Sequence, residues 1–215
     1  MEKDLQNYRK SYEKGELLET DVPEDPLELF ENWLNAAEAH PSVDEVNAMN
    51  LSTFELDGFP KNRVVLLKQF DKRGFVFFTN YESDKGKAIE KNPKVCLSFF
   101  WPAMERQIII KGVASKISEE ESAAYFHSRP RGSQLGALAS NQSRSVASRK
   151  VLEDKLHEFE KEYNGQEIPK PKEWGGYLVV PYSYEFWQGR KNRLHDRMLY
   201  SRNDNNDWNL DRLAP

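Results

Sequence analysis

The sequence contains a single cysteine, Cys96, among 215 residues. No disulfide can therefore form within one chain, which fits a reducing compartment. No apolar run approaches the roughly 20 residues that a membrane-spanning helix needs. The first residues, Met-Glu-Lys-Asp, also lack an apolar core like that of a signal peptide. These absences predict a soluble, cytoplasmic protein that is stabilised by its hydrophobic core.

The sequence also lacks an excess of positive charge, because it has 31 Lys and Arg residues and 35 Asp and Glu residues, which gives a net charge of −4. This balance argues against a general nucleic-acid binder. The sequence has no glycine-rich phosphate loop and no GxGxxG pattern of a dinucleotide-binding fold. Its four histidines form no metal-ligand pattern, so no metal site is expected. The cationic residues that bind a ligand must therefore form local clusters that suit a small anion.

The chain begins with a polar segment, and residues 1–24 are expected to be an N-terminal extension that is mobile, with a helix over Leu5–Lys14 as the alternative. Residues 25–215 are expected to form one domain. Its first helix should follow Asp25-Pro26, an N-cap and a first-turn proline. The residues that trace one apolar face of this helix are Leu27, Phe30, Trp33, Leu34 and Ala37.

Strand-type sequences dominate the rest of the chain, with helices inserted between them. The predicted strands are Ala48–Phe54, Arg63–Lys68, Phe75–Thr79, Lys94–Trp101, Arg106–Ser115, Gly176–Pro181, Tyr184–Gln188, about Leu194–Ser201, and Trp208–Leu213. The predicted helices begin at Ser83, at the capping box of Ser118, at Gln134 with Ser133 as its cap, and at about Ser145. This order predicts an α+β fold with an antiparallel barrel and flanking helices, not a doubly wound sheet.

The segment Arg193–Arg197 concentrates protonatable side chains near the C-terminus. If it is a strand, Arg193, His195 and Arg197 share one face. Two guanidiniums and an imidazole on one face suit an anionic ligand. A solvated edge strand is the alternative, but the preceding Glu185–Gly189 offers an aromatic wall and close backbone approach, which favours a ligand site.

Two other places carry anion-binding chemistry. Lys85 follows the helix start at Ser83, where free amides and the helix dipole attract phosphate, although such a lysine is commonly just solvated. Tyr125, Arg129 and Ser133 are spaced four apart around a proline, so a phenol, a guanidinium and a hydroxyl can converge. A capped helix with a surface arginine is the alternative for this cluster.

Several segments match, in order, those of one known family: Arg63–Lys68, Glu105–Gln107, Tyr125–Arg131, Ser133–Ala137, Trp174–Tyr177, Glu185–Gly189, Arg193–Arg197 and Asp211–Pro215. On these segments the chain resembles the pyridoxamine 5′-phosphate oxidase family from about Asp25 to Pro215. The resemblance implies an FMN-binding split barrel that works as a homodimer with FMN between subunits. It also implies oxidation of pyridoxamine or pyridoxine 5′-phosphate to pyridoxal 5′-phosphate, in vitamin B6 biosynthesis and salvage, with O2 as acceptor and H2O2 as product.

The same resemblance assigns site residues. Those that match FMN contacts are Arg63, Val64, Val65, Leu66, Leu67, Lys68, Phe78, Thr79, Lys85, Gln107, Gln142, Ser143, Trp187 and Arg197. Those that match holders of the substrate phosphate are Lys68, Tyr125, Arg129 and Ser133, and those that face the substrate ring are Arg193, Leu194 and His195. Arg193 and His195 are the candidate catalytic residues, and His195 could orient the reacting group or accept a proton. Arg9 and Tyr12 correspond to residues that cover the substrate.

One departure and two alternative functions remain. Asp84 stands where the family commonly has Arg, and a carboxylate there opposes the FMN phosphate although it suits a helix N-terminus. A flavin reductase that uses a nicotinamide is one alternative, but it would have no evident use for the Tyr125, Arg129 and Ser133 cluster. Arg193 and His195 would have no evident purpose either. A non-catalytic carrier of pyridoxal 5′-phosphate is the alternative of another class.

Overall fold

The computed structural model describes residues 3–215. Met1 and Glu2 lie outside the described residues. They are the first residues of the predicted N-terminal extension and of the segment considered as a signal peptide. The helices are α1 (Pro26–Glu38), α2 (Asp84–Lys91), α3 (Glu119–Ser128), α4 (Arg131–Ala139) and α5 (Arg149–Glu162). The strands are β1 (Ala48–Phe54), β2 (Pro60–Leu66), β3 (Gln69–Asp71), β4 (Gly74–Asn80), β5 (Lys94–Trp101), β6 (Arg106–Lys116), β7 (Trp174–Gln188), β8 (Asp196–Arg202) and β9 (Trp208–Arg212). Short 3-10 turns cover Glu19–Asp21 and Lys191–Arg193.

Within residues 3–215 the strands form one sheet in the order β2-β1-β5-β6-β7-β4-β3, and β8 pairs with both β7 and β9. The pairs β3–β4, β4–β7, β7–β8 and β8–β9 are antiparallel. Helices lie between strands in the sequence without strict alternation, as an α+β fold requires. The predicted fold class is therefore confirmed, as is the pairing of the last strand with the one before it.

Three predicted helix starts are confirmed by their caps. Asp25, Ser83 and Ser118 each accept a hydrogen bond from an amide in the first turn of the helix that follows. Glu121 completes the capping box, because its carboxylate accepts the amide of Ser118. These caps satisfy amides that would otherwise have no partner, so local chemistry determines where α1, α2 and α3 begin.

Two element predictions in the sheet are wrong. Gly176–Pro181 and Tyr184–Gln188 are not separate strands, because β7 runs without interruption through Pro181. The fixed φ of proline, about −65°, is compatible with a strand, and proline lacks only one backbone donor. The alternation of buried and exposed side chains continues across Pro181, from residue 179 to residue 183. Strand β3 is absent from the predicted strands because three residues are too few to show a period.

Two helix starts also differ from the prediction. Ser133 does not cap α4; the helix begins at Arg131, and the carbonyl of Pro130 accepts the amides of Ser133 at 2.8 Å and Gln134 at 3.2 Å. Helix α5 begins at Arg149 and not near Ser145, because its N-cap residue, Ser148, is fully extended. Ser133 therefore lies in the first turn of α4, with its side chain on the helix surface.

The chain divides into two compact units, whose boundaries fall within β1, β5, β6 and β7. Unit 1 comprises residues 3–50, Leu97–Lys111 and Pro181–Pro215, and unit 2 comprises Leu51–Cys96 and Gly112–Val180. The core of unit 1 packs α1 on the sheet through edge-to-face pairs, Phe30 with Phe99 at 5.2 Å and Trp33 with Phe186 at 5.3 Å. Such pairs stabilise a core beyond the area that they bury.

The core of unit 2 contains a cluster of Phe126, Leu135, Ile168 and Trp174, against which α5 and the ends of α3 and α4 pack. This cluster fixes Trp174 at the start of β7, where the indole faces the loop between α3 and α4. Across residues 3–215 no helix combines the length and apolar character needed to cross a membrane.

Candidate functional site

A cavity of about 680 Å³ opens in unit 2, bounded by β2, β4, the start of α2, and helices α3 and α4. It collects most of the residues predicted to bind FMN or the substrate phosphate. Those that line it are Arg63, Val64, Val65, Leu66, Lys68, Phe78, Thr79, Lys85, Tyr125, Arg129, Ser133 and Gln142. One cavity thus brings together segments that are far apart in the sequence.

One end of this cavity is formed by the first turn of α2. Gly86 is required there, because a Cβ on it would lie 2.1 Å from the carbonyl oxygen of Tyr81. Only glycine lets the helix start approach the preceding turn so closely. This approach places Lys85 in the cavity wall with only 8% of its surface exposed.

The Lys85 ammonium donates to Thr79 Oγ1 at 3.2 Å, and Thr79 in turn donates to Gln142 Oε1 at 3.1 Å. Burial lowers the pKa of Lys85 to about 8, and the charge of Arg63 adds to the shift, whereas Asp84 opposes it. A buried ammonium with a lowered pKa gains from an anion, because the anion restores the favourable environment for its charge. The arrangement suits a phosphate at the start of α2.

The other end of the cavity is cationic and aromatic. The Arg129 guanidinium lies over the Trp174 ring, 4.8 Å from its centroid, and Tyr125 stacks on Phe78 at 3.9 Å. Burial lowers the pKa of Arg129. Among the buried side-chain nitrogen and oxygen atoms of the described residues, its Nη1 is the one without a hydrogen-bond partner. Because a buried donor is costly when unpaired, this end is suited to an anion with several acceptor oxygens.

Two charged residues near this cavity are engaged in ion pairs. Arg63 donates to Thr53 Oγ1 at 2.6 Å and forms an ion pair with Glu55. Asp84 pairs with the Lys61 ammonium at 3.1 Å, and both side chains are largely solvent-exposed. Arg63 therefore lines the cavity with a guanidinium already held by β1, and Lys61 offsets the carboxylate that departs from the family pattern.

A second cavity, of about 610 Å³, lies in unit 1. It brings together Arg9, Tyr12, Trp187, Arg193 and His195. The prediction that Arg193, His195 and Arg197 share one strand face is wrong, because β8 begins only at Asp196. Arg193 instead ends a 3-10 turn, in a left-handed conformation with φ +62°. Such a conformation is unfavourable for a non-glycine residue and persists only where the surroundings hold it.

The His195 ring is held on three sides. Its centroid lies 4.8 Å from that of Trp187 and 5.5 Å from that of Tyr12, and its Nδ1 accepts the backbone amide of Arg190 at 3.0 Å. Burial, followed by the charge of Arg193, lowers its pKa. At neutral pH the ring is therefore uncharged and carries its proton on Nε2, because Nδ1 is an acceptor.

Five residues predicted to line a site lie outside both cavities. Leu67 is buried, Gln107 is half-buried on β6, Ser143 is exposed with φ +68°, and Leu194 is exposed. Arg197 pairs with Trp187 in the β7–β8 register and binds Glu185 at 2.8 Å and the Ala214 carbonyl at 2.8 Å. Arg197 therefore ties the C-terminal residues to the strand that carries Trp187.

Several residues that line the first cavity have no site role predicted from the sequence: Asn80, Gly136, Ala137, Ser140 and Trp174. Gly136, Ala137 and Trp174 do lie in segments that carry the family resemblance, and of these Trp174 adds a large aromatic ring. Its position directly before Gly175 and Gly176 is the signal that could have revealed it. A Cβ at Gly176 would lie 2.9 Å from Cε1 of Phe78, so this glycine lets the Phe78 ring pack close to β7, where it stacks on Trp174. Within residues 3–215, no cluster of three or more His, Cys, Asp or Glu side chains could hold a metal ion.

Comparison with solved structures defines the class of fold. The PhzG protein from Burkholderia lata 383, solved with tetrahydrophenazine-1-carboxylic acid, aligns with TM-score 0.85 and 31% identity over 91% of this chain and 95% of that chain. A pyridoxamine 5′-phosphate oxidase-related, FMN-binding protein from Nostoc punctiforme aligns with TM-score 0.69 and 18% identity over 87% of this chain and 96% of that chain, which shows the fold alone. The chain thus has the split-barrel fold of these proteins.

Sequence comparison then defines the family. Residues 36–163 match the family described as pyridoxamine 5′-phosphate oxidase, and residues 174–215 match the pyridoxine 5′-phosphate oxidase C-terminal dimerisation region. A pyridoxine/pyridoxamine 5′-phosphate oxidase from Christiangramia forsetii is 59% identical over 215 residues, with both chains covered completely. One from Nostoc punctiforme is 50% identical over 215 residues, again with both chains covered completely. The chain belongs to the pyridoxine/pyridoxamine 5′-phosphate oxidase family and is an oxidoreductase.

Proposed function

We propose that the protein binds FMN and oxidises pyridoxamine or pyridoxine 5′-phosphate to pyridoxal 5′-phosphate, with O2 as the electron acceptor. The amine substrate, water and O2 give the aldehyde, ammonia and H2O2; the alcohol and O2 give the aldehyde and H2O2. The pyridoxine/pyridoxamine 5′-phosphate oxidases that are 59% identical to this chain over nearly its whole length support this reaction.

The observation that carries the proposal is the pair of cationic groups in the cavity of unit 2. Lys85 lies at one end and Arg129 at the other, and each is buried enough to gain from an anion. FMN and the substrate each bring one phosphate, so the reaction requires two such groups. The partnerless Nη1 of Arg129 is the strongest sign of a missing anionic partner.

In the proposal, the start of α2 holds the FMN phosphate through Lys85, with Thr79 and Gln142 orienting that ammonium. Arg63, Val64, Val65, Leu66, Lys68 and Phe78, which line the cavity, would contact the flavin. At the other end, Arg129 binds the substrate phosphate with Lys68, Tyr125 and Ser133. The stacked rings of Tyr125 and Phe78 give this part of the cavity an apolar wall.

Bound FMN supplies a two-electron acceptor that is reoxidised by O2. In the proposal, Arg193 orients the substrate ring and His195 donates a hydrogen bond from Nε2. Because Nδ1 already accepts the Arg190 amide, the neutral ring has no free lone pair for a proton. This geometry supports the orienting role that the sequence left open beside a role as base. Tyr12 and Arg9 would close over the substrate.

We also propose a homodimer in which residues of both subunits reach each flavin. The match of residues 174–215 to a dimerisation region supports it. Trp187 and Arg197 belong to this region, and Gln107 joins them as a predicted FMN contact. Leu67, Ser143 and Leu194 keep their predicted roles only as backbone or peripheral contacts, since they lie outside both cavities.

The test begins with the purified protein, which should be yellow and release FMN, not FAD, on denaturation. Incubation with pyridoxamine 5′-phosphate in air should then yield equal amounts of H2O2 and aldehyde. A flavin reductase would instead consume a reduced nicotinamide without forming aldehyde. A carrier would bind pyridoxal 5′-phosphate but produce no H2O2, and either result would overturn the proposal.

A further inference from the structure

Glu105 is an unusual residue for a turn between two strands. It links β5 to β6, only 1% of its surface is exposed, and its φ is +57°. A left-handed, buried, charged residue is unfavourable in itself, so its surroundings must hold it. Its functional groups show what it does there.

The Glu105 carboxylate binds the segment that precedes α1. Its Oε2 accepts the backbone amides of Glu13 at 2.7 Å and Lys14 at 3.0 Å, and its Oε1 pairs with the Lys10 ammonium at 3.1 Å. Burial acts to raise the pKa of Glu105, but the Lys14 amide, the Lys10 ammonium and the Glu13 amide outweigh it, so the pKa is lowered. The group is therefore a carboxylate at neutral pH.

The backbone carbonyl of Glu105 binds residues at the end of β7, on the side of the second cavity that Trp187 forms. Its carbonyl accepts the amide of Gly189 at 2.8 Å and the side-chain amide of Gln188 at 3.3 Å. These residues directly follow Trp187, so Glu105 connects the strand that carries Trp187 with residues 10–14. Between these two connections lies Tyr12, whose ring contacts Trp187 at 5.6 Å and His195 at 5.5 Å.

Close packing restricts the movement of the Tyr12 side chain as long as Glu105 binds residues 10–14. A Cβ at Gly189 would lie 2.9 Å from both Cβ and Cγ of Tyr12, so the tyrosine rests on bare backbone. We propose that Glu105 is a positioning residue, whose carboxylate holds residues 10–14 so that Tyr12 covers Trp187 and His195. The inference rests on the proposed function for its kinetic consequence, but the attachment of residues 10–14 can be measured independently.

The variant Glu105→Gly tests this attachment in the FMN-loaded protein. Glycine adopts positive φ readily, so the turn is retained while the carboxylate is removed. Hydrogen exchange at the amides of Glu13 and Lys14 should become roughly tenfold faster or more, since each is deprived of a charged acceptor. Glu105→Gln, which keeps the shape and one acceptor oxygen, should be intermediate and serves if the glycine variant does not fold. Glu16→Gln is the matched control, because Glu16 lies in the same N-terminal segment and its ion pair with Arg190, at 2.8 Å, does not involve Glu105.

Kinetics provide the second readout. KM for pyridoxamine 5′-phosphate should rise at least about fivefold in Glu105→Gly, with the FMN dissociation constant changed less than about twofold, because residues 10–14 cover the substrate and not the phosphate of FMN. Unchanged exchange at Glu13 and Lys14 would overturn the inference, and so would faster exchange with an unchanged KM. If the wild-type protein forms no aldehyde, the proposed function fails, while the exchange experiment still decides whether Glu105 holds the segment.

Discussion

The backbone amide of Arg190 donates to Nδ1 of His195 at 3.0 Å, which fixes the tautomer of the ring that faces the second cavity. Because the hydrogen on Nε2 is then the one available to a ligand, His195 is a donor. A lowered pKa keeps it neutral and preserves this role at neutral pH.

The first prediction concerns the two residues proposed to face the substrate. His195→Ala and Arg193→Ala should lower kcat/KM by about ten- to a hundredfold, the cost of losing a hydrogen bond to a charged partner. FMN binding should stay nearly intact in both. Arg197→Ala should weaken FMN binding as well, because it releases Glu185 and the Ala214 carbonyl beside the strand of Trp187. Unchanged kinetics in both the His195 and Arg193 variants would contradict the assignment.

The second prediction follows from the pKa of Lys85, which burial lowers to about 8 in the protein without ligand. The FMN phosphate is a dianion above about pH 7, so its affinity should depend on the charge of Lys85. Binding should weaken as the pH rises through 8, approaching about tenfold per pH unit. Fluorescence titration of the apoprotein with FMN measures this, and Lys85→Arg is the control. Arginine stays charged, so the variant should lose the pH dependence, and a wild-type affinity that is flat from pH 7 to pH 9 would refute the role.

The third prediction uses the partnerless Nη1 of Arg129. In Arg129→Met, KM for the substrate should rise by about ten- to a hundredfold with FMN affinity unchanged. The ligand-free variant should be at least as stable as the wild type, because an apolar side chain of similar length removes an unsatisfied buried donor. In the FMN-loaded protein, where the proposed Lys85 site is occupied, inorganic phosphate should raise the melting temperature of the wild type but not of the variant. Equal stabilisation of both by phosphate would show that Arg129 binds no anion.

The fourth prediction tests whether the two subunits share a site. At substrate concentrations well below KM, Arg129→Ala and His195→Ala should each retain only about a tenth to a hundredth of wild-type activity as homodimers. Suppose that each site takes Arg129 from one subunit and His195 from the other. A heterodimer of the two variants then has one intact site out of two, and half of a randomly mixed population is heterodimeric. About a quarter of wild-type activity should therefore return. The mixture is made by joint refolding, and two differently tagged copies of the same variant provide the control. A mixture without recovered activity means that one subunit supplies both residues.

The sequence predicts most of this fold where local chemistry is decisive. β1 and β5 have the predicted bounds, and the caps Asp25, Ser83 and Ser118 start the predicted helices. The predictions fail where tertiary contacts override local signals. Pro181 does not end β7, because the sheet tolerates one missing donor.

In the candidate site, too, the predictions that rest on local sequence spacing succeed only where tertiary structure does not override it. The spacing of Tyr125, Arg129 and Ser133 predicts their convergence, and the cavity of unit 2 contains all three. The prediction that Arg193, His195 and Arg197 share one strand face is wrong, because the left-handed residues Asn192 and Arg193 form a turn before β8 begins. No pattern in the sequence indicates such a turn. The role of Glu105 is equally invisible, since its partners are the backbone amides of residues 13 and 14, which carry no sequence signal.

The last prediction concerns Asp84, which pairs with Lys61 at 3.1 Å and does not line the cavity. The carboxylate should repel the phosphate of FMN bound as proposed, but it also acts to raise the pKa of Lys85. Asp84→Arg should therefore tighten FMN binding at pH 7 and low ionic strength, by no more than about fivefold because the pair is exposed and screened. The gain should shrink toward pH 8, since the loss of Asp84 lowers the pKa of Lys85 further.

A double-mutant cycle with Lys61 separates these effects. Lys61→Ala leaves Asp84 without its partner and should weaken FMN binding, whereas adding Asp84→Asn to it should restore the affinity, because no carboxylate remains to be neutralised. Flavin fluorescence quenching at two salt concentrations measures each variant, and the differences should fall at high salt. If Lys61→Ala binds FMN as tightly as the wild type at low salt, the carboxylate of Asp84 exerts no force on the phosphate, and its departure from the family pattern is neutral.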